Sequence, residues 1–404
     1  MTINKRLCDF TERHDCKLAG LYGISKIINK TKDVDMKLTP LYNIHLGLGA
    51  KMVTSGAGYQ VAANYGSVEE EHRAVRERVG LMDLSHMTRF DIKGNDSLQL
   101  IQTLAVNDAS KLTDGQVMYT TFCNEEGNIV DDVTVWRFNR QHFRVVASSK
   151  SRFRTIKWIE AHIDEGMLAY VTDISASLGM ISVQGPCSRD TLQKISDSTL
   201  QELRFFRFTV VKLAGISTVV ARLGYTGELG YECYMSTEDT VQAWSEIMNA
   251  GRAFDISPYG YDALDTLRLE KGFVYFGGEV SGKNNPFECG LDRWIRFDNR
   301  SFVGKQALLN IRENGPERKL IGLELHGDAA AAATQQVMAN EKKIGEIALC
   351  FRGFTVRKNL AWAYVMPEHA EPGTQVTVDS RGNSVPATVV DIRRYDPTDT
   401  RIRA

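Results

Sequence analysis

The clearest helical pattern in the chain begins at Ser67. Ser67 precedes Glu70 by three positions, which is the spacing of a capping box at a helix N-terminus. The charged stretch that follows places Val75 and Val79 four residues apart, on one helical face, and Gly80 ends the pattern. This segment is therefore predicted to form a helix at the protein surface.

Strand patterns dominate the next part of the chain. Residues 128–138 are rich in β-branched side chains and follow the turn-forming residues 124–127, so they are predicted to form a strand that leaves a hairpin. A partner strand is predicted to begin at Phe143. Residues 209–223 alternate between apolar and polar side chains, which predicts further β structure.

The chain changes character after Pro316. Before it, residues 240–249 and 261–271 carry apolar side chains three or four positions apart, which predicts two helices. After it come short strand patterns separated by turn residues, at residues 320–325, 343–350, 361–365, 375–378 and 387–392. Residues 328–340 are predicted to be a connection. The predicted fold class is α+β, with a separate small β-barrel at the C-terminus.

The N-terminal residues 1–37 are predicted to be an extension. They are polar and irregular, and residues 18–28 show the apolar pattern of a short helix. The acidic residues among them and the lack of an apolar core followed by small residues argue against a secretion signal.

Composition excludes several classes of function. The chain has 404 residues, 43% hydrophobic and 25% charged, and its 49 Lys and Arg against 50 Asp and Glu give a net charge of −1. Nucleic-acid binders usually carry a concentrated basic surface, so DNA and RNA are not expected partners. No apolar run approaches the ~18–20 residues that cross a bilayer, so a membrane protein is not expected. The oligomeric state is left open.

Cysteines and histidines give no sign of a metal site. The seven cysteines are scattered and form no C-x-x-C pair, which favours a reduced, cytoplasmic protein. The eight histidines lack the spacing of metal ligands, so no metal is predicted. Asp83, Ser85 and His86 lie close in sequence, but no G-x-S-x-G elbow accompanies them, and they are predicted to serve a turn or cap.

Residues 277–283 match the phosphate-binding pattern G-x-x-x-x-G-K. The next residue, Asn284, lacks the hydroxyl that binds magnesium in such loops, and Pro286 discourages the helix that should follow. A nucleotide site is therefore not predicted here.

Two adjacent carboxylates, Asp131 and Asp132, lie on the predicted strand of residues 128–138. Acidic residues are disfavoured in strand interiors, so their presence requires a reason. One reason is a position at the hairpin end, where both face water or cap backbone N–H groups. The other is a partly buried carboxylate that accepts a hydrogen bond from a ligand amine and moves its proton.

Residues 223–233, LGYTGELGYEC, combine glycines, tyrosines and acids. The glycines permit a tight backbone path, and the tyrosines offer flat faces for stacking. Either Glu228 or Glu232 could accept a pair of donors from the edge of a guanidine-like heterocycle. A simple turn would explain the glycines but not the acids.

Taken in order, several segments resemble the aminomethyltransferase family, typified by the T-protein of the glycine cleavage system. The matching segments are LTPLYNIHLGLGAKMV, EHRAVRERVGLMDLSHM, MYTTFCNEEGNIVDDVTV, ISVQGP, LGYTGELGYE, DTLRLEKG, DRWIRFDNRSFVGKQAL and RKNLAWAYV. The resemblance implies a three-domain cloverleaf that binds tetrahydrofolate in a central channel. It divides the chain into two interleaved α+β folate-binding domains at residues 38–315 and a β-barrel domain at residues 316–404.

The resemblance also implies roles for individual residues. Asp131 matches the family's carboxylate beside the reactive folate nitrogens, and Glu232 matches the acid that holds the pterin edge. The implied pocket-lining residues are Tyr119, Val133, Val135, Tyr225 and Trp294.

One departure from the family pattern concerns Leu264. The T-protein usually has an arginine of the folate site there, whereas a hydrophobic residue is similar to the folate domains attached to sarcosine and dimethylglycine dehydrogenases. Those domains collect one-carbon units, but this chain has no G-x-G-x-x-G segment for the flavin half. The main hypothesis is therefore a tetrahydrofolate-dependent transferase that takes a methyl or methylene group from a small N-, S- or O-methylated donor.

Two alternatives stay open beside this hypothesis. One is a T-protein-type aminomethyltransferase of glycine cleavage. The other is a non-catalytic folate-binding protein of the iron–sulfur assembly type. That second class carries K-G-C-Y-x-G-Q-E, whereas Phe273 follows Lys271 and Gly272 here, which disfavours it.

Overall fold

The structure, a computed structural model, describes residues 36–298, 300–327, 333–380 and 383–404. The predicted helix at residues 18–28 lies outside these ranges. Within them the α-helices are α1 (Tyr42–Gly47), α2 (Val68–Glu77), α3 (Ser97–Leu104), α4 (Arg152–Glu160), α5 (Ser188–Gln193), α6 (Thr240–Gly251), α7 (Tyr261–Lys271) and α8 (Lys305–Asn314).

The strands are numbered in chain order. They are β1 (Lys37–Leu38), β2 (Lys51–Thr54), β3 (Tyr59–Asn64), β4 (Gly80–Asp83), β5 (Thr88–Lys93), β6 (Gln116–Cys123), β7 (Ile129–Asn139), β8 (His142–Ala147), β9 (Tyr170–Asp173), β10 (Leu178–Gln184), β11 (Arg207–Leu213), β12 (Ile216–Arg222), β13 (Gly230–Ser236), β14 (Ser257–Pro258), β15 (Lys319–Leu325), β16 (Gln336–Ala339), β17 (Lys342–Gly353), β18 (Lys358–Val365), β19 (Gln375–Ser380) and β20 (Asn383–Val390).

A large sheet forms the body of the molecule. Its strand order is β14-β4-β10-β13-β12-β11-β6-β7-β8-β5-β9, and β1, β3 and β2 form a small separate sheet. The large sheet has two halves, and they meet where Arg207 of β11 pairs with Gln116 of β6. Such a short seam lets the two halves fold towards each other, because few ladder hydrogen bonds hold them flat.

Each half of the large sheet packs helices on its outer face. Trp244 and Ile247 of α6 lie in the core behind β10 and β13, and Ile159 of α4 lies in the core behind β5, β7 and β8. A third core joins the two inner faces with α2 and α7, and it includes Trp136 of β7 and Tyr234 of β13. This inner region is where residues from both halves and both helices meet.

The predicted local elements of the body are present, but α2 is not the surface helix that was predicted, because half of its residues are buried. The side chain of Ser67 accepts a hydrogen bond from the backbone N–H of Glu70, which caps α2 as predicted. The hairpin of β6 and β7 and the pairing of β7 with β8 are also present. The predicted β segment of residues 209–223 is a hairpin of β11 and β12, because Ala214 and Gly215 turn the chain with φ angles of 48° and 84°.

The C-terminal strands close into a barrel with the order β15-β18-β17-β16-β19-β20. All five strands predicted there are present, and the predicted connection at residues 328–340 contains a sixth, β16. The sequence pattern missed β16 because it is short and follows a run of small residues. Closure of the barrel needs this strand, since it bridges β17 and β19. Among the α-helices of the described ranges, none has the length and apolar character to span a membrane.

Candidate active site

The inner face of β7 carries Asp132 beside two aromatic side chains. Asp132 and Tyr119 share this face across the β6–β7 ladder, and the Tyr119 hydroxyl donates a 2.9 Å hydrogen bond to Oδ2 of Asp132. The Tyr119 ring meets Trp294 edge-on, with ring centroids 5.5 Å apart. All three side chains are partly exposed, so this cluster faces an accessible region rather than a closed core.

Tyr225 belongs to the same cluster. It lies in the glycine-rich turn before β13, stacks on Phe273 with ring centroids 5.7 Å apart, and donates its hydroxyl to the backbone carbonyl of Val274. The negative charge of Asp132 contributes to raising the pKa of both Tyr225 and Tyr119, beyond the larger effect of burial. Both hydroxyls therefore keep their protons and can act as hydrogen-bond donors.

A buried ion pair lies next to Tyr225. Arg268 of α7 donates hydrogen bonds of 2.6 and 3.2 Å to the two carboxylate oxygens of Glu279 and a 3.1 Å bond to the carbonyl of Phe273. Because the pair is bidentate, it holds α7 against the loop that carries Phe273. Neither residue stands out in the sequence, because each lies within a segment whose pattern is that of an ordinary helix or turn.

Asp131 points the opposite way from Asp132. It is 0% exposed and accepts hydrogen bonds from Ser151 (2.7 Å) and Thr155 (2.5 Å), which lie under and within α4. Val133 and Val135 share this face and pack in the outer core behind α4. The structure therefore does not bring these three predicted site residues together with Tyr119, Tyr225 and Trp294, since side chains alternate along a strand.

Both carboxylates of β7 have raised pKa values. Burial raises the pKa of Asp132 to about 6, against the opposing hydrogen bond from Tyr119. Burial, followed by the charge of Asp132, raises the pKa of Asp131 to about 7. A carboxylate with a pKa near neutrality can both accept and release a proton at physiological pH. Of the two, Asp132 has an accessible face on which to do so.

Glu232 also faces the inner region. It lies on β13 and accepts a 2.7 Å hydrogen bond from Tyr234, whose ring contacts Trp136 edge-on at 5.0 Å between centroids. Burial raises the pKa of Glu232 to about 7. Among the described residues only Tyr234 donates to Glu232, so its second carboxylate oxygen is available for a ligand.

Glu228, the other acid considered for a ligand role, has a structural one. It pairs with Arg76 at 3.3 Å and with Arg401 at 2.9 Å, and it is buried. The structure thus separates the two acids of the glycine-rich segment, because only Glu232 lies on the strand face that meets Trp136.

The segment of residues 277–283 is a turn in the structure. Gly277 has a φ of 92°, and Asn284 uses its side chain to accept from Ser281 and to donate to Glu288. No helix begins at the end of this segment within the described residues. A phosphate-binding loop requires such a helix, so the match to G-x-x-x-x-G-K reflects turn geometry.

The chain is similar to known proteins in both sequence and fold. The domain described as GCVT N-terminal domain matches residues 41–299, and the glycine cleavage T-protein C-terminal barrel domain matches residues 318–396. An aminomethyltransferase from Caldanaerobacter subterraneus subsp. tengcongensis is 36% identical over 364 residues, covering 89% of this chain and 96% of the relative. Another aminomethyltransferase, from Symbiobacterium thermophilum, is 37% identical over 366 residues, covering 89% of this chain and 97% of the relative.

A solved structure is similar over nearly the same length. The crystal structure of glycine cleavage system aminomethyltransferase T from Bartonella henselae matches with a TM-score of 0.83 and 25% sequence identity, covering 90% of this chain and 99% of that one. This likeness confirms the predicted α+β fold of the aminomethyltransferase type with its C-terminal barrel. The chain belongs to the aminomethyltransferase family of transferase enzymes.

Proposed function

We propose that this chain transfers a one-carbon unit from an amine donor to tetrahydrofolate at the inner face of the large sheet. The observation that carries the proposal is the partly exposed pair of Asp132 and Tyr119, set beside Trp294 and Tyr225. Family membership supports the reaction class, and the arrangement of these side chains supports its location.

The residues of the inner face suit a pterin chemically. A pterin presents amino-pyrimidine donors along one edge, and the free oxygen of Glu232 can accept from them. Its flat faces suit the rings of Tyr119, Tyr225 and Trp294. When bound, tetrahydrofolate supplies the nucleophilic nitrogen that accepts the one-carbon unit.

Asp132 would move the proton that this transfer releases. The N–H nitrogen of tetrahydrofolate must lose its proton when it bonds to the transferred carbon. The amine that leaves the donor must gain a proton. Asp132, with a pKa of about 6, can take the first proton and return it to the departing amine. The Tyr119 hydroxyl would fix the orientation of the carboxylate through its hydrogen bond.

Two kinds of donor are compatible with this chemistry, and each has an observation in its favour. The relatives named aminomethyltransferase favour an aminomethyl group. Leu264 favours a free methylated amine, because it is 8% exposed and packs in the inner core with Trp136 and Tyr234, where an arginine of the folate site is expected. An apolar wall there removes a cation that would repel a positively charged amine.

The proposal is tested first by binding and then by turnover. Calorimetry should show saturable binding of tetrahydrofolate and none of ATP. Turnover is then measured with the partner proteins of glycine cleavage and, separately, with methylated amines, using mass spectrometry to follow carbon transfer. Transfer from either donor type that requires tetrahydrofolate supports the proposal. Absence of tetrahydrofolate binding by the folded protein would overturn it.

Replacing Glu232 by glutamine should lower the affinity for tetrahydrofolate by roughly tenfold or more, because charge-assisted hydrogen bonds contribute about 1.5–3 kcal/mol. Burial raises the pKa of Glu232 to about 7, so the wild-type affinity should be weaker at pH 6 than at pH 8, where the carboxylate is ionised. This difference should vanish in the variant. Calorimetry at pH 6 and pH 8 measures the tetrahydrofolate affinity of the wild type and of the variant.

Glu238→Gln provides the matched control for this prediction. Glu238 is an exposed glutamate just beyond the end of β13, so the same chemical change is made outside the inner face. Its affinity should equal that of the wild type. Equal affinities for all three proteins would remove Glu232 from the proposed site.

A further inference from the structure

Arg89 is a buried arginine with most of its hydrogen-bond donors unused. It lies on β5 and is 0% exposed. Its Nη2 donates to the backbone carbonyls of Ser85 (2.9 Å), Ser175 (2.5 Å) and Leu178 (2.8 Å), whereas Nε and Nη1 have no hydrogen-bond partner among the described residues. A guanidinium has five N–H groups, two of them on Nη2, so three remain without an acceptor.

The carboxylates around Arg89 are already engaged. Asp91, two residues along the same face of β5, pairs with Arg144 at 2.8 Å and with His142 at 2.9 Å. Asp83 pairs with His45 at 3.1 Å and accepts from the backbone N–H of Ser85. Burial of the guanidinium lowers the pKa of Arg89 to about 10. A buried cation without an anionic partner is costly, and the three carbonyls satisfy only one of its nitrogens.

His86 lies within the electrostatic influence of Arg89 and also has an unused nitrogen. Its Nε2 forms a hydrogen bond with the Tyr261 hydroxyl, and its buried Nδ1 has no partner in the part of the chain that the structure describes. Burial lowers the pKa of His86 to about 4, so the ring is neutral at physiological pH. When Tyr261 donates to Nε2, the ring proton lies on Nδ1, which then becomes a further free donor.

Aromatic side chains surround these two residues. The ring of His86 lies 5.5 Å from Tyr261 and 6.3 Å from Tyr59, measured between centroids. The pKa of Tyr234 responds to the charge of Arg89, and the Tyr234 hydroxyl donates to Glu232. Tyr234 therefore lies within electrostatic range of Arg89 and at the same time bonds to the acid assigned to the pterin.

We propose that Arg89 and His86 form a subsite that binds the carboxylate of the one-carbon donor. The subsite rests on the proposed function, since it assigns the donor to the class of small N-substituted amino acids. The free N–H groups match carboxylate oxygens. The ammonium group of the donor can lie against the faces of the tyrosines, which attract cations. A second acid at this place would bind the ammonium group too, but it would also pair with Arg89.

This subsite changes the expected charge of the pocket. Leu264 alone predicts a pocket that lacks a cation and therefore does not select anionic donors. Arg89 supplies a cation from β5 instead, on the inner side of the sheet. Arg89 then binds the anionic group of the donor, and the positively charged amine of the donor meets no repelling cation at residue 264.

Calorimetry without folate tests the subsite through the ligand. N-methylglycine carries the carboxylate, and N-methylglycinamide has nearly the same shape but a neutral amide. The acid should bind at least about tenfold more tightly, because a charge-assisted hydrogen bond is lost with the amide. Equal binding of the two compounds, or binding of neither, would overturn the proposal. This comparison uses the wild-type protein, so it does not depend on a variant that folds.

Arg89→Lys tests the same subsite through the protein. The ammonium of lysine keeps the positive charge, but it lacks the planar N–H groups of the guanidinium. Affinity for N-methylglycine should fall about tenfold or more, with tetrahydrofolate affinity unchanged. Arg137→Lys is the control, because Arg137 is paired with Asp114 at 2.8 Å and should leave both affinities unchanged.

The two proposals fail in different ways. Wild-type protein that binds tetrahydrofolate but shows no preference for the acid defeats only the subsite. Protein that prefers the acid but binds no tetrahydrofolate defeats only the proposed function. A parallel loss of tetrahydrofolate and acid affinity in Arg89→Lys would mean that the free N–H groups serve the folate, and it would also overturn the subsite.

Discussion

Asp132→Asn is expected to lower turnover by ~10²–10⁴-fold, the range for loss of a side chain that transfers a proton. Asparagine preserves the shape and can still accept from Tyr119, but it cannot take up a proton at physiological pH. The effect should therefore appear in kcat, with little change in the affinity for tetrahydrofolate. Single-turnover kinetics with saturating tetrahydrofolate measure it.

Asp131→Asn is the matched comparison, because it makes the same change one residue earlier on β7. Asp131 faces Ser151 and Thr155 beneath α4, away from the aromatic cluster, so its replacement should affect turnover far less. If Asp131→Asn proved to be the more damaging change in a protein with wild-type melting behaviour, the family-based assignment of Asp131 would stand and the role of Asp132 would fall.

The pH profile provides a second readout for Asp132. Its pKa is raised to about 6, so the carboxylate is ionised above this pH and protonated below it. A base must be ionised to accept a proton, so wild-type kcat should decline as the pH falls through about 6. The residual activity of Asp132→Asn should lack this decline. If kcat of the variant declined in the same way at low pH, the group that titrates would be a residue other than Asp132.

Much of the fold follows from local sequence patterns. The capping box at Ser67 and the short strand patterns of the barrel each depend on residues within one element. Such features are set by backbone geometry and by short-range hydrogen bonds. The β16 strand was missed because it is short and follows a run of small residues. Its place in the barrel depends on pairing with β19, almost forty residues away.

The orientation of the site could not be predicted in the same way. Both faces of β7 carry apolar residues, so alternation separates Asp131 from Asp132 without showing which face α4 covers. That depends on packing between α4 and the sheet. The register of the β6–β7 hairpin would have helped, because it places Tyr119 on the Asp132 face.

Arg89 illustrates the same limit. In the segment TRFDIK the charged residues alternate with apolar ones, a pattern typical of a strand with one face in water. In the structure Arg89 and Asp91 on that face are buried, because the two halves of the sheet turn their inner faces towards each other, and only Lys93 at the end of the strand is exposed. The polar pattern marks a buried surface here, and only the tertiary fold distinguishes it from a solvated one.

Arg76 connects the elements that hold the inner region together. On α2, its guanidinium donates to the carbonyls of Thr226 (2.7 Å) and Leu267 (3.1 Å) and pairs with Glu228 (3.3 Å) and Glu270 (3.2 Å). It thus links α2 to the turn before β13 and to α7.

The C-terminal part of the chain joins the same contacts. The Tyr395 ring lies 3.8 Å from the Arg76 guanidinium, measured to the ring centroid. Glu270 accepts from the backbone N–H of Thr355, beyond β17, at 2.8 Å. A single buried cation therefore stabilises contacts between the barrel, the C-terminal tail and the helix that carries Leu264 and Arg268.

Arg76→Met is accordingly expected to lower the free energy of unfolding by ~3–5 kcal/mol, because it removes one partner of a buried ion pair and leaves Glu270 without its guanidinium. Arg73→Met is the control: Arg73 lies one turn away on α2 and pairs with Glu70, but the two side chains are 46% and 58% exposed. Exposed pairs contribute only ~0–1 kcal/mol, so this variant should remain close to the wild type. Urea titration followed by tryptophan fluorescence compares them. Similar losses for both variants would mean that the stability of α2 depends on its surface pairs and not on the buried contacts of Arg76.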